Sequence, residues 1–222
     1  DWSSDVCSSD LLLRYNAKDY PKIEGDVAES WSVAPDGLAY TFKLRSDVKF
    51  HDGSLLTAAD IKATYDRIRN PPPGVTSLRK GDFSDVTAIE TPDPQTVVFR
   101  LSQPNAAMLS NFANPFNCIY SARKLAEDAS YPAATIMGTG PFTFVEHAKG
   151  QSWSGKRFEG YFRPGQPYLD GFKIQILSAG GGPTAYSGNQ LDMFLRTLTP
   201  QEVENIRAVR GDSFTLKPAA SR

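Results

Sequence analysis

AESWSVAPDGLAYTFKLRSDVKFHDGSLLTAADIKATYDRI, residues 28–68, is the stretch whose reading decides the fold. Pro35-Asp36-Gly37 is a turn signal. It launches a run of period two in which Leu38, Tyr40, Phe42 and Leu44 fall on one face, and Ala39, Thr41, Lys43 and Arg45 on the other. Asp52-Gly53 makes a second turn. Thr57 then caps a helix, and Asp60 stands at its third position, near the positive helix end. Ile61, Tyr65 and Ile68 recur at helical spacing and predict the buried stripe of that helix. Strand, tight turn and capped helix thus follow one another within this stretch.

Working outward, 222 residues give room for one large or two small domains with a substantial core. Hydrophobic content of 40% and charged content of 22% are ordinary for a globular chain. A formal charge of -1 gives no electrostatic reason to expect nucleic acid or an anionic membrane as partner. No uninterrupted apolar run approaches the ~20 residues that a membrane-crossing helix needs, and the first residues carry no signal-peptide pattern.

Residues 1–11, DWSSDVCSSDL, have no apolar periodicity and resemble a translated sequencing adapter. They are expected to lie outside the fold. Setting them aside removes three Asp and no Lys or Arg, which moves the charge from -1 to +2. It also removes Cys7 and leaves Cys118, in PFNCIY, expected to be a buried, inert thiol.

After the first helix, Pro71-Pro72-Pro73-Gly74 stops the chain, and 75–85 is expected to be loop. Strands are predicted over 86–89 and 96–101, helices over 105–112 and 121–128, and strands over 142–147, 151–157 and 172–177. A short or frayed helix is expected between Ala179 and Leu191, because the AGGGPTAY run is Gly-rich. Thr199-Pro200-Gln201-Glu202 is a capping box with Pro at the first helical position. Val203, Ile206 and Val209 supply that helix's apolar stripe, and 213–217 reads as a final strand. Hairpins interleaved with short helices make an α/β chain of mixed, α+β-like sheets rather than a regular βαβ series.

The wording of these segments resembles the family 5 extracytoplasmic solute-binding proteins, the peptide- and nickel-type receptors of ATP-hydrolysing (ABC) importers. AESW, PDG, YTFKLR, VKFHDG, LTAADI, the GTGPF of residues 138–142 and the G-Q-P-Y-L-D of residues 165–170 occur in the family's order. The resemblance implies a periplasmic-binding-protein type II-like fold, present incompletely. Residues 12–130 correspond to a small flanking subdomain of the first lobe and 131–222 to part of that lobe, with the second lobe missing, as in a gene fragment. It implies an extracytoplasmic or periplasmic receptor, monomeric at full length, that closes two lobes on a short peptide and delivers it to membrane permease subunits. Nickel chelates, opines and oligosaccharides are the alternative ligands. A hydrolase of unrelated α+β fold and a non-functional gene fragment are the alternative readings of the whole chain.

By position in the family, Phe194, Leu195 and Arg196, which follow Asp192, are expected near the ligand. Arg196 has two readings: a bidentate partner for a ligand carboxylate, or an exposed surface charge. Phe194 reads more readily as packing than as a ligand platform. No catalytic residue, metal site or cofactor is expected. The two histidines, His51 and His147, lie in different segments, where a metal would need three or four converging ligands. His51 in the FHDG turn reads as a structural residue. No nucleophile has a base and a carboxylate arranged with it in sequence.

Overall fold

The structure, a computed structural model, describes residues 9–178, 180–194 and 197–216. In chain order, β1 (Leu13–Tyr15) pairs antiparallel with β2 (Ile23–Gly25). Strands β3 (Ala28–Val33) and β4 (Ala39–Leu44) form a hairpin, and helix α1 (Ala58–Arg69) follows. Strands β5 (Val86–Asp93) and β6 (Thr96–Leu101) form a second hairpin and complete an antiparallel sheet of order β3-β4-β6-β5. Short helices α2 (Met108–Phe112), α3 (Ala122–Glu127) and α4 (Tyr131–Ala134) come next. Then β7 (Phe142–Ala148), β8 (Ser152–Arg157) and β9 (Gly171–Gln175) make a three-stranded sheet in that order. Helices α5 (Gly181–Ser187) and α6 (Pro200–Arg210) end the described elements.

The β3–β4 turn forms for the reason its residues suggest. Gly37 takes φ +71°, a left-handed conformation that a Cβ would strain, and the Asp36 carboxylate accepts the Leu38 N–H at 2.9 Å. The predicted alternation then buries Tyr40, Phe42 and Leu44 and leaves Lys43 exposed. Helix α1 lays Ile61, Tyr65 and Ile68 among the residues buried beneath the sheet. An aromatic cluster fills that core. The Tyr65 ring meets Phe83 and Phe99 at 5.1 Å each and Phe112 at 5.6 Å, while Phe42 meets Phe112 at 4.9 Å. Each such pair is worth about 0.5–1.5 kcal/mol beyond the area it removes from water.

Several elements depart from expectation. Strand β5 runs on through Pro92 to Asp93, because it is an edge strand where a missing N–H costs no ladder bond, and the ladder slips between Glu90 and Asp93. Residues 75–85 are not all loop: a 3-10 turn over Lys80–Phe83 carries Phe83 into the core. Residues 213–216 form no strand. Gly211 turns the chain with φ +58°, and the Ser213 hydroxyl donates back to the Arg210 carbonyl at 2.6 Å; Lys217 lies outside the described residues. On α6 only Ile206 of the predicted stripe is fully buried, and Val209 is 67% exposed. Asp10 and Leu11, expected outside the fold, are part of it: Val27 N–H donates to the Leu11 carbonyl at 3.0 Å, and Ile119 N–H to that of Asp10 at 3.4 Å.

The chain divides into two compact units. One takes in the residues through Glu146 together with Trp153–Lys173; the other takes in His147–Ser152 and the residues from Ile174 onward. The hydrophobic core of the β3-β4-β6-β5 sheet belongs to the first.

Candidate functional site

In the second unit, α5 starts at Gly180, whose φ of +86° only a residue without Cβ adopts freely, and continues through Gly181, Gly182 and Pro183. The helix is as short as its glycines predict. Tyr186 near its end is the hub of the unit. The Phe194 ring lies 5.4 Å from it at 63°, and the Arg210 guanidinium sits 5.1 Å over its face. Arg210 also donates from Nη1 to the Asn189 side-chain oxygen, and its Nε is buried with no hydrogen-bond partner among the described residues. Gly182 faces the Phe194 ring at a distance where a Cβ, 3.4 Å away, would make ordinary van der Waals contact. Helix α6, which carries Arg210, begins with the predicted capping box. Thr199 Oγ1 accepts the Glu202 N–H at 3.3 Å, and the Glu202 carboxylate accepts the Thr199 N–H at 2.9 Å.

Of the three residues expected near ligand, Phe194 is therefore partly buried against Tyr186 and Gly182, while Leu195 and Arg196 lie outside the described residues. Tyr186 and Arg210 were not candidates. Arg210 and Tyr186 are 24 positions apart and meet only when α5 and α6 pack together.

The first unit holds a buried polar cluster that sequence reasoning also missed. Arg163 Nη2 pairs with Asp26 at 2.6 Å, and Asp26 is only 4% exposed. The other Asp26 oxygen accepts the Leu11 N–H at 2.9 Å. Beside it, Asp10 accepts the Tyr161 hydroxyl at 3.1 Å on one oxygen and has no partner on the other. Burial, then the neighbouring Asp26 charge, push the Asp10 carboxyl up to about 8. Burial likewise raises the Tyr161 phenol. Phe162 lies between two cations, the guanidinium of Arg163 at 5.1 Å and that of Arg45 at 5.6 Å. Nothing local marks Asp26 and Arg163 as partners, since 137 positions separate them.

His51 sits in its turn with the ring edge against Phe158 at 5.0 Å and hydrogen bonds to the Gly138–Gly140 segment. Cys118 is 2% exposed, as expected of a structural thiol. Among the described residues no group of three or more His, Cys, Asp or Glu converges as a metal site would. No described helix is long and apolar enough to cross a membrane. Two surface depressions of the first unit, about 540 and 520 Å³, are lined by residues such as Lys43 and Asp93 or Arg69 and Phe83.

Comparison with known proteins identifies the family. Residues 22–218 match the family described as bacterial extracellular solute-binding proteins, family 5 middle. The glutathione-binding protein GsiB of Escherichia coli (strain K12) is 34% identical over 150 residues, which cover 67% of this chain and 29% of the relative. The chain thus spans about a third of the length of such relatives. Among solved structures, AgaA of A. tumefaciens R10 in complex with agropinic acid superposes with a TM-score of 0.78 at 34% identity, over 85% of this chain and 38% of that one. The ABC transporter-associated periplasmic binding protein DppA of Helicobacter pylori, in complex with the peptide STSA, gives 0.80 at 26% identity, over 90% and 42%. The mixed sheet-and-helix architecture is that of type II periplasmic binding proteins, represented in part.

Proposed function

The chain belongs to family 5 of the bacterial extracellular solute-binding proteins, and we propose that its parent protein is the receptor of an ABC importer that binds a short peptide or peptide-like solute. The observation that carries this is the family match across residues 22–218, together with a glutathione-binding relative at 34% identity. The relatives are binding proteins rather than enzymes. In this reading the parent protein makes and breaks no bond: two lobes close on the solute outside the cytoplasmic membrane, in the periplasm, and the closed form docks on permease subunits. The segment of Phe194, Leu195 and Arg196 meets the solute. Support for that placement is the contact of the Phe194 ring with Tyr186 of α5 at 5.4 Å. Arg196 then offers a planar fork to a solute carboxylate.

A second reading, an opine receptor, is favoured by the AgaA likeness at 34% identity. The test is a thermal-shift and calorimetric screen of the full-length gene product against glutathione, tri- and tetrapeptides, agropinic acid and a nickel–histidine chelate. Saturable stabilisation by glutathione or a short peptide, weakened at least about tenfold by Arg196→Ala, is expected, the loss of one charge-assisted contact. Stabilisation by agropinic acid alone would replace the peptide reading. Peptide binding untouched by both Arg196→Ala and Phe194→Ala would remove the site assignment and leave the receptor reading standing.

A further inference from the structure

His51 lies in a turn closed by the Phe50 N–H on the Ser54 carbonyl at 2.8 Å and by Gly53 at φ +87°. From there it reaches 87 to 89 positions along the chain and grips both glycines of Gly138-Thr139-Gly140. Its backbone N–H donates to the Gly138 carbonyl at 2.9 Å. Its Nε2 is 2.9 Å from the Gly140 carbonyl, which only accepts, so Nε2 carries the proton. The Gly138 N–H points at Nδ1 from 3.4 Å, so Nδ1 accepts. One tautomer of the neutral imidazole satisfies both ring contacts. Adding a proton to Nδ1 sets two N–H groups against each other and removes the acceptor.

The clasped segment is more than a linker. Thr139, between the glycines and fully buried, accepts the Asp10 N–H on Oγ1 at 3.2 Å. Pro141 follows, and its carbonyl accepts the Phe158 N–H at 2.9 Å, the same Phe158 whose ring packs on His51. The tripeptide is therefore pinned from both sides immediately before β7 begins.

We infer that His51 is a proton-operated latch: neutral, it fastens the Gly138–Gly140 segment to the Phe50–Ser54 turn through both ring nitrogens, and protonated, it gives up the Gly138 N–H and loosens that end of the segment while the Gly140 carbonyl keeps its bond. The groups that bear on it are few. Asp52, its neighbour in the turn, attracts a proton to the ring, but its own charge is drawn off by Arg123 of α3 at 2.7 Å and by nearby Lys124. The segment of Gly138, Thr139 and Gly140 and the Phe158 ring bring no ionisable group. Burial is the larger influence and holds the imidazole below its ordinary value of 6.5. The latch thus stays shut at neutral pH. Below about 6.5 the unfolded or released form takes up a proton that the fastened form resists, so fastening weakens as pH falls.

In the present chain, which has two histidines, His147→Gln leaves one imidazole to follow by NMR. Expected are an Nε2–H tautomer at pH 7.5, a midpoint below 6.5, and a drop of about tenfold in the exchange protection of the His51 and Gly138 amides that tracks the midpoint. His51→Gln, which keeps a donor and an acceptor but does not titrate, should hold the two amides with no pH dependence. An imidazole that titrates at 6.5 or above, or one that titrates while the Gly138 amide stays equally protected, overturns the latch. If His51→Gln does not fold, the titration of the parent chain decides alone.

Discussion

The Asp60 carboxylate accepts the Ala122 backbone N–H at 2.7 Å, 62 positions away, while its other oxygen accepts the Thr57 N–H at 2.7 Å and the Thr57 hydroxyl at 3.0 Å. One side chain, 6% exposed, therefore closes the first turn of α1 and anchors the first residue of α3. Asp60→Ala strands a partly buried N–H at each place. We expect a loss of about 2–4 kcal/mol in urea unfolding, the sum of a lost cap and unmet buried donors. Asp60→Asn should recover part of it. A loss below about 1 kcal/mol for the alanine variant contradicts the double role.

The Arg163–Asp26 pair should behave as buried pairs do when one partner is removed. Arg163→Met leaves Asp26, 4% exposed, with only the Leu11 N–H and the more distant Arg14 Nε at 4.0 Å, and is expected to cost about 2–4 kcal/mol. Adding Asp26→Asn to that variant should restore stability, so that the double variant is less damaged than the single one. A double-mutant cycle in chemical denaturation measures this, and strictly additive losses count against the pairing.

Tyr65 places a hydroxyl in the aromatic cluster with no hydrogen-bond partner among the described residues. Burial first, with Cys118 adding to it and Arg79 opposing, drives the phenol's ionisation well above the ordinary range. Removing the unpaired oxygen relieves a desolvation cost while the ring keeps its contacts with Phe83, Phe99 and Phe112. Tyr65→Phe is expected to be neutral or to stabilise by about 1 kcal/mol. A drop in melting temperature of several degrees would show that the hydroxyl is bonded.

Asp10 gives stability a pH slope of its own. Its carboxyl is pushed up to about 8 in the folded chain, against an ordinary value of 3.8, by burial first and by Asp26 second. Below about 4 both states hold the proton and the contribution is complete. As pH rises from about 4 to about 8 the unfolded chain gives up a proton that the folded chain keeps, and stability falls. Asp10→Asn, neutral at every pH, should flatten melting temperature against pH across that window and raise it most near pH 8. The His51 latch slopes the opposite way below 6.5, and it persists in the Asp10→Asn variant. An unchanged profile removes Asp10 from the account.

Residues 28–68 determined their own structure, because turn residues, period-two alternation and a capped helical stripe are all local signals: Gly37, the Tyr40–Phe42–Leu44 face and the Thr57–Asp60 start each stand where their chemistry puts them. The family was legible for the same reason, as an ordered series of such local words. Tertiary structure alone decided which distant residues complete one another. Pro92 survives within β5 only because that strand lies at a sheet edge, and residues 213–216 stay out of any strand because Gly211 and Ser213 turn the helix end back on itself. Asp26 finds Arg163, Tyr186 gathers Phe194 and Arg210, and His51 finds Gly138 and Gly140 across separations that no periodicity reports. Such pairs are selected by burial: once water is excluded, each buried donor or charge is stable only where the fold brings a partner to it.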